Sequence, residues 1–379
     1  MPAKAGATPK ATYAKGSVRV VTRADPFVVP AVPQRFKAES VLVRRIRWDD
    51  ERMQYRTLGR TALKVAPLVL GTMNFGNNID ESASFDIMDR ARELGLNFFD
   101  TANAYGGTRG EGITEKIIGN WLSQRRSRDD IVLATKVYGT MGDGPNDRGL
   151  SARHIVAACE QSLRRLRTDH IDLYQMHHVD RSASPDEIWQ AMDLLVAQGK
   201  VRYVGSSNFA GWHISALQEQ AARRHSLGLV CEQSIYNLLN RYVELEVVPA
   251  AQHYGLGVIA WSPLHGGALS GVLRKMADGD GERSLQGRSA AAVESHRHQL
   301  EQWEEFCRRG GWSASNVALA WLLSRPGMTG PIIGPRTLAQ LNEAMSCLDI
   351  ALSDADLARI DEIFPPVGNG GPGPEAWAW

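Results

Sequence analysis

Asp100, Tyr105, Lys136 and His177 stand at or just after the ends of three successive apolar runs. The first run leads into Asp100-Thr101-Ala102-Asn103-Ala104-Tyr105-Gly106, the second ends in Lys136 and the third in His177. One reaction would use all four side chains. A carbonyl that accepts a hydride needs a proton for its developing alkoxide. Tyrosine can supply it, but an ordinary pKa of about 10 makes it reluctant. An adjacent ammonium stabilises the phenolate and lowers that pKa. Lys136 fits this role, Asp100 would anchor Lys136 by ion pairing, and His177 would orient the carbonyl through a hydrogen bond. Taken singly, each residue has a plainer reading: a solvated lysine, an exposed His177–His178 pair or stray metal site, a helix-capping aspartate. The signal is their recurrence at successive strand ends. Strand alternation sends His178 to the other side and leaves it structural. Adjacent strand residues diverge and no third ligand has suitable spacing, so no metal is expected.

These side chains can meet only if the strand ends converge. Short β-branched runs alternate with amphipathic stretches through the middle of the chain. Strands are expected at 67–70, 97–100, 131–135, 171–176, 201–205, 229–232, 257–261 and 331–333. Helices are expected at 82–94, 113–122, 152–166, 185–197, 212–223 and 245–252. Ser151 and Ser184 stand as N-caps. A polar insertion over roughly 270–295 precedes helices near 296–309 and 314–324, and further helices follow at 338–345 and 354–360. Eight strands, each followed by helix, predict a parallel sheet covered on its outside. Residues 66–350 suffice for a (β/α)8 barrel, which typically needs about 250 residues. An open doubly wound sheet would want a glycine-rich first turn, and Leu70-Gly71-Thr72-Met73-Asn74-Phe75-Gly76 lacks that fingerprint. In a barrel, chemistry gathers at the C-terminal strand ends.

Composition narrows the function classes. In 379 residues, 43 Lys and Arg balance 42 Asp and Glu, so no global basic field invites nucleic acid. No apolar run approaches the roughly 18 residues of a membrane span. Cys159, Cys231, Cys307 and Cys347 form no Cys-x-x-Cys pair, which argues against a zinc site or a disulfide scaffold. A cytoplasmic, reducing setting is the expectation.

The ends differ from the middle. Residues 1–52 carry eleven basic and five acidic residues and hold no regular period. They read as a disordered basic extension with no compact apolar core of a signal peptide, or as a consequence of start-codon choice, since Met53 opens the first regular segment. The barrel is expected over 53–364 and a Pro/Gly-rich tail over 365–379. Gly368, Gly370 and Gly373 match Gly-x-Gly-x-x-Gly, but they follow a helix and precede none, so the match is rejected. Trp377 and Trp379 end the tail and are poor residues to leave in water.

Several segments together identify a family. Gly95-Leu96-Asn97-Phe98-Phe99-Asp100-Thr101-Ala102 leads to Tyr105-Gly106, and Ile131-Val132-Leu133-Ala134-Thr135-Lys136 carries the lysine. Ser162-Leu163-Arg164-Arg165-Leu166 leads to Asp169-His170-Ile171-Asp172-Leu173-Tyr174-Gln175-Met176-His177. From about Tyr55 to Ile363 the chain resembles the aldo-keto reductases, NADPH-dependent carbonyl reductases, in their branch with bacterial members and potassium-channel β subunits. The resemblance implies a TIM barrel with an N-terminal β-hairpin and extra C-terminal helices and tail, and a catalytic tetrad of Asp100, Tyr105, Lys136 and His177. Ser207 and Asn208 of Gly205-Ser206-Ser207-Asn208-Phe209, with Gln233, would hold the nicotinamide carboxamide. Trp261 would stack on the nicotinamide, and Ser262, Pro263 and Leu264 would border the pyrophosphate. Gly334, Arg336, Gln340 and Glu343 resemble the adenosine-phosphate segment. Arg336 at a helix start suits a 2′-phosphate, so NADP is preferred over NAD. Ala344 stands where many relatives have Asn beside the adenine, and His265 where many have Gly. The implied substrate is a small carbonyl compound, and homo-oligomerisation is left open. Two other roles remain: a reductase-like module serving a protein partner, and a biosynthetic ketoreductase of nucleotide-linked deoxysugars.

Overall fold

The computed structural model describes residues 53–107, 111–279 and 287–367. The readings for 1–52, and for the tail beyond residue 367 with Trp377 and Trp379, lie outside the described residues.

A short antiparallel hairpin, β1 (Arg56–Thr57) and β2 (Lys64–Val65), comes first. Eight parallel strands follow: β3 (Val69–Gly71), β4 (Phe98–Asp100), β5 (Val132–Val137), β6 (Ile171–Met176), β7 (Val201–Ser207), β8 (Leu229–Ile235), β9 (Gly257–Trp261) and β10 (Met328–Ile333). They neighbour one another in chain order, and β10 closes on β3, so the sheet is a closed barrel. The helices between them are α1 (Glu81–Glu93), α2 (Ile113–Arg125), α3 (Ala152–Leu166), α4 (Pro185–Ala197), α5 (Gly211–Arg223), α6 (Val247–Tyr254), α7 (Val272–Ala277), α8 (Arg288–Arg309) and α9 (Ala314–Leu323), with α10 (Leu338–Met345) and α11 (Asp354–Ile363) after the last strand. Ser151 and Ser184 cap their helices as expected, accepting from the backbone N–H of His154 and Glu187.

Several boundaries shift from the sequence reading, and two of the departures have a plain physical reason. The helix expected from 296 begins at Arg288, and His296 is the non-helical kink where the expected start fell. Residues 288–295 look polar, but Ser289, Ala292 and Val293 bury one face at helical spacing. The supposed insertion also contains α7. The eighth strand starts at Met328, three residues early, and its register shifts between Met328 and Gly330, just before Pro331, which has no N–H for a ladder.

Two apolar layers result. One lies between strands and helices. The other fills the barrel interior with Val69, Phe98, Val132, Ala134, Leu173, Cys231 and Ile259, and Leu58 and Val65 of the hairpin region close it from below. Gly59 allows that closure. Its φ is +54°, and a Cβ there would lie 2.6 Å from the Gly255 and Val230 carbonyl oxygens. Side chains on a strand alternate in direction. Two residues beyond Phe98, Ala134, Leu173 and Cys231 come Asp100, Lys136, Gln175 and Gln233, which form the next interior layer.

Candidate active site

At that layer the apolar filling gives way to a buried polar cluster. Lys136 has no solvent exposure, and Asp100 is 2% exposed. The lysine Nζ donates to Asp100 Oδ1 at 2.6 Å, to the Thr101 carbonyl oxygen at 2.8 Å and to Tyr105 OH at 3.3 Å. All three ammonium protons are thereby engaged. The other carboxylate oxygen of Asp100 accepts from Gln233 Nε2 at 2.9 Å and Gln175 Nε2 at 3.1 Å. Such pairing is what permits two charges to be buried together. The Tyr105 ring meets the His177 ring edge-on, 5.8 Å between centroids.

The electrostatics follow from this geometry. Burial disfavours the Lys136 ammonium, but Asp100 and Tyr105 outweigh it and hold the lysine above its ordinary value. Burial pushes Tyr105 upward, Lys136 opposes it, and the net displacement is upward. Lys136 lowers the phenol as expected, but desolvation outweighs the ammonium and Asp100 adds to the rise. Burial, then Lys136, then His178 lower His177 to about 2, so its imidazole is neutral at physiological pH.

A cavity of about 710 Å³ opens above this cluster. Its lining includes Asp100, Tyr105, His177, Ser207, Asn208, Gln233, Trp261, Ser262, Pro263, Leu264, Gly334, Arg336, Gln340 and Glu343. Of the catalytic and coenzyme residues named from the sequence, Lys136 alone is absent from the lining, because it lies behind Tyr105. Asn208 takes a φ of +61°, a conformation Asn tolerates. Its Nδ2 donates to the His177 carbonyl oxygen at 3.1 Å and Ser207 Oγ at 3.0 Å, and its Oδ1 accepts from Trp261 Nε1 at 3.0 Å. Gln340 Oε1 accepts the Arg336 backbone N–H at 2.8 Å. Glu343 accepts from Ser313 Oγ at 2.9 Å and Ser315 Oγ at 3.2 Å.

Some residues of the cluster and of the lining escaped the sequence reading. Gln175 lies two residues before His177 on one strand, and period-2 alternation could have found it. His178 was assigned to the other side, yet its ring stacks on His177 with centroids 4.9 Å apart and lines the cavity. Strand β6 ends at Met176, so alternation no longer governs residues 177 and 178. Lys275 and Arg288 come from the region taken as an insertion, and Arg288 lies 4.8 Å over the Trp261 ring. Asn316 of α9 also lines the cavity. Neither a charge pattern nor a motif marked these three.

The comparisons with known proteins agree with the barrel. Residues 67–364 match the aldo/keto reductase family. The chain belongs to that family of oxidoreductases. It is 51% identical over 332 residues to an uncharacterized oxidoreductase, YrpG, of Bacillus subtilis, covering 86% of this chain and 100% of the relative. It is 33% identical to a probable voltage-gated potassium channel subunit beta of Arabidopsis thaliana, covering 82% and 97% respectively. A norsolorinic acid reductase of Emericella nidulans is 35% identical, with 80% of this chain and 79% of the relative covered. Among the described residues no helix is long and apolar enough to cross a membrane.

Proposed function

We propose that the protein reduces an aldehyde or ketone to an alcohol with NADPH. The observation that carries this reading is the Lys136 ammonium, shared between Asp100 and the Tyr105 hydroxyl at the base of the cavity. The cavity also suits the coenzyme. Lys275, Arg288 and Arg336 line it with cationic groups, and Trp261 offers a flat ring among them. NADPH, when bound, supplies a hydride to the carbonyl carbon. Tyr105 gives its proton to the carbonyl oxygen. The phenolate left behind faces Lys136, whose charge stabilises it, and Asp100 keeps the ammonium in place. Gln175 and Gln233 fix Asp100 in turn. His177, being neutral, orients the carbonyl oxygen and does not compete as an acid. Ser207 accepts from Asn208, so its own hydroxyl proton is left for a ligand amide.

A substrate panel followed by NADPH absorbance tests the reading, with aldehydes, sugars and steroid-like ketones as arms. Turnover of any carbonyl class supports it. A second reading, a reductase-like barrel that serves a protein partner, is favoured by the relatives named as potassium channel β subunits. NADPH binding with no reduction across the panel would move that reading ahead.

A further inference from the structure

Glu232 on β8 has no solvent exposure and does not line the cavity. Cys231 and Gln233 face the barrel interior, so alternation turns Glu232 to the outer side of the sheet. Three donors converge on it there. Ser206 Oγ, from the paired position on β7, donates to Oε2. Ser234 Oγ donates to Oε1 at 2.7 Å, and the Phe209 backbone N–H donates to the same oxygen at 3.1 Å. A buried acid is costly, and two strands pair as well without one. Forming the sheet therefore does not call for Glu here.

The position of the donors supplies a reason. Ser207, Asn208 and Gln233 stand together on the cavity wall, with Ser207 paired to Gln233 in register. Each is the chain neighbour of a group bonded into the carboxyl cluster: Ser207 follows Ser206, Asn208 precedes Phe209, and Gln233 follows Glu232 itself. Strand β7 ends at Ser207, and Asn208 takes a left-handed φ of +61°. The Asn208 N–H still continues the ladder, donating to the Gln233 carbonyl oxygen at 2.9 Å. The Phe209 N–H turns away from the ladder, and Glu232 accepts it as a strand carbonyl would.

We propose that Glu232 is a positioning residue for the nicotinamide end of the coenzyme site: its carboxyl group clamps the turn at Asn208 from behind and so fixes Ser207, Asn208 and Gln233 at the spacing a planar carboxamide needs. The proposal rests on the NADPH reading above and deepens it. Glu232 touches no ligand and acts through three residues that do. An amide would preserve the clamp. Gln keeps one carbonyl oxygen for Phe209 and Ser234, and its NH2 group donates to Ser206, whose hydroxyl then accepts. Met has a similar length and only a weak acceptor.

The test uses the whole chain and two probes, NADPH and adenosine 2′,5′-bisphosphate, which lacks the nicotinamide half. Affinities are read by isothermal titration calorimetry, independently of turnover. In Glu232→Met, NADPH should weaken by about three- to tenfold, the range of one neutral hydrogen bond, while the bisphosphate binds as it does to the unaltered protein. Glu232→Gln should restore the NADPH affinity. Glu232→Asp keeps an acid but withdraws it by one methylene, and it repeats the measurement in case Met prevents folding; again NADPH alone should weaken. Equal weakening of both probes would show a merely structural residue and overturn the proposal. So would an unchanged NADPH affinity in the Met and Asp variants, or a Gln variant as weak as Met. An unaltered protein that binds neither probe overturns the coenzyme reading itself, and this proposal with it.

Discussion

Asn208 holds Trp261 by its edge, accepting the indole N–H at 3.0 Å while its own amide N–H group donates to His177 and Ser207. One carboxamide therefore links β6, β7 and β9 at the cavity wall. Its left-handed backbone makes Asn208→Gly the variant of choice, since glycine keeps that conformation and removes the carboxamide with all three of its hydrogen bonds. NADPH affinity should fall by about two- to twelvefold, the range of one hydrogen bond. An unchanged affinity in a fluorescence titration would mean that the coenzyme needs neither the Trp261 tether nor a contact from Asn208.

Tyr105→Phe removes a hydroxyl and keeps the ring. NADPH should bind as before, while reduction of a test aldehyde should slow by about 10²–10⁴-fold. Lys136→Met should also suppress turnover, and it leaves Asp100 buried without its cation. That second loss should cost about 3–5 kcal/mol of stability. Single-turnover kinetics together with thermal melting separate the two variants: the first loses rate alone, the second both rate and stability. Full turnover by Tyr105→Phe would remove it from the chemistry.

The pH profile follows from the displaced groups. Reduction needs Tyr105 protonated, and burial raises its pKa, so the donor form persists through neutrality and is lost only as pH rises past that value. His177, lowered to about 2, does not change charge in the working range. The rate of hydride-dependent reduction should be level from about pH 6 to about pH 9 and decline only at more alkaline pH. An inflection near pH 6.5 that disappears in His177→Gln would show that the imidazole ionises after all.

Arg336 stands exposed where α10 begins. Replacing it by Ala should weaken NADPH by about one to two decades, the equivalent of a charge-assisted contact of about 1.5–3 kcal/mol, and leave NADH nearly unchanged. Equal affinity of the unaltered protein for the two coenzymes would sink the assignment of a 2′-phosphate to this residue.

Glu232 lies wholly buried between β7 and β9 and accepts from Ser206, Ser234 and the Phe209 backbone N–H. Burial outweighs these bonds and raises its carboxyl to about 7. The folded state therefore holds this proton more tightly than the unfolded chain. The resulting stability is fully present below the ordinary carboxyl range and is lost as pH rises through about 7. Melting temperature should fall between about pH 5 and about pH 8, and less so in Glu232→Gln, which cannot ionise. Parallel curves for the two proteins would show that Glu232 does not contribute.

The elements were legible wherever periodicity and caps agreed. Ser151 and Ser184 start their helices as read, and alternation along β5 carries the chain from Val132 through Ala134 to Lys136. The motif around Asp100, Tyr105, Lys136 and His177 was visible because those residues sit at strand ends, where a barrel gathers them. Less visible were residues whose role depends on distant neighbours. Arg288 reads as a surface charge until α8 brings it over Trp261. Asn316 looks like a helix-start asparagine until its amide oxygen proves to be buried without a partner beside the cavity. The net direction of the Tyr105 pKa was hidden for a similar reason: a sequence names the neighbouring charge but does not weigh it against the water removed by folding.

The sealed floor of the barrel has a kinetic consequence. Leu58 and Val65 shut the interior from below, so among the described residues Tyr105 is approached through the cavity at the side where the strands end. On the proposed reading, NADPH along the wall from Trp261 to Arg336 and a carbonyl compound beside His177 would share one doorway. Whichever lies deeper must enter first and leave last. Such a queue predicts ordered turnover and places the exit of the last molecule among the steps that set the pace.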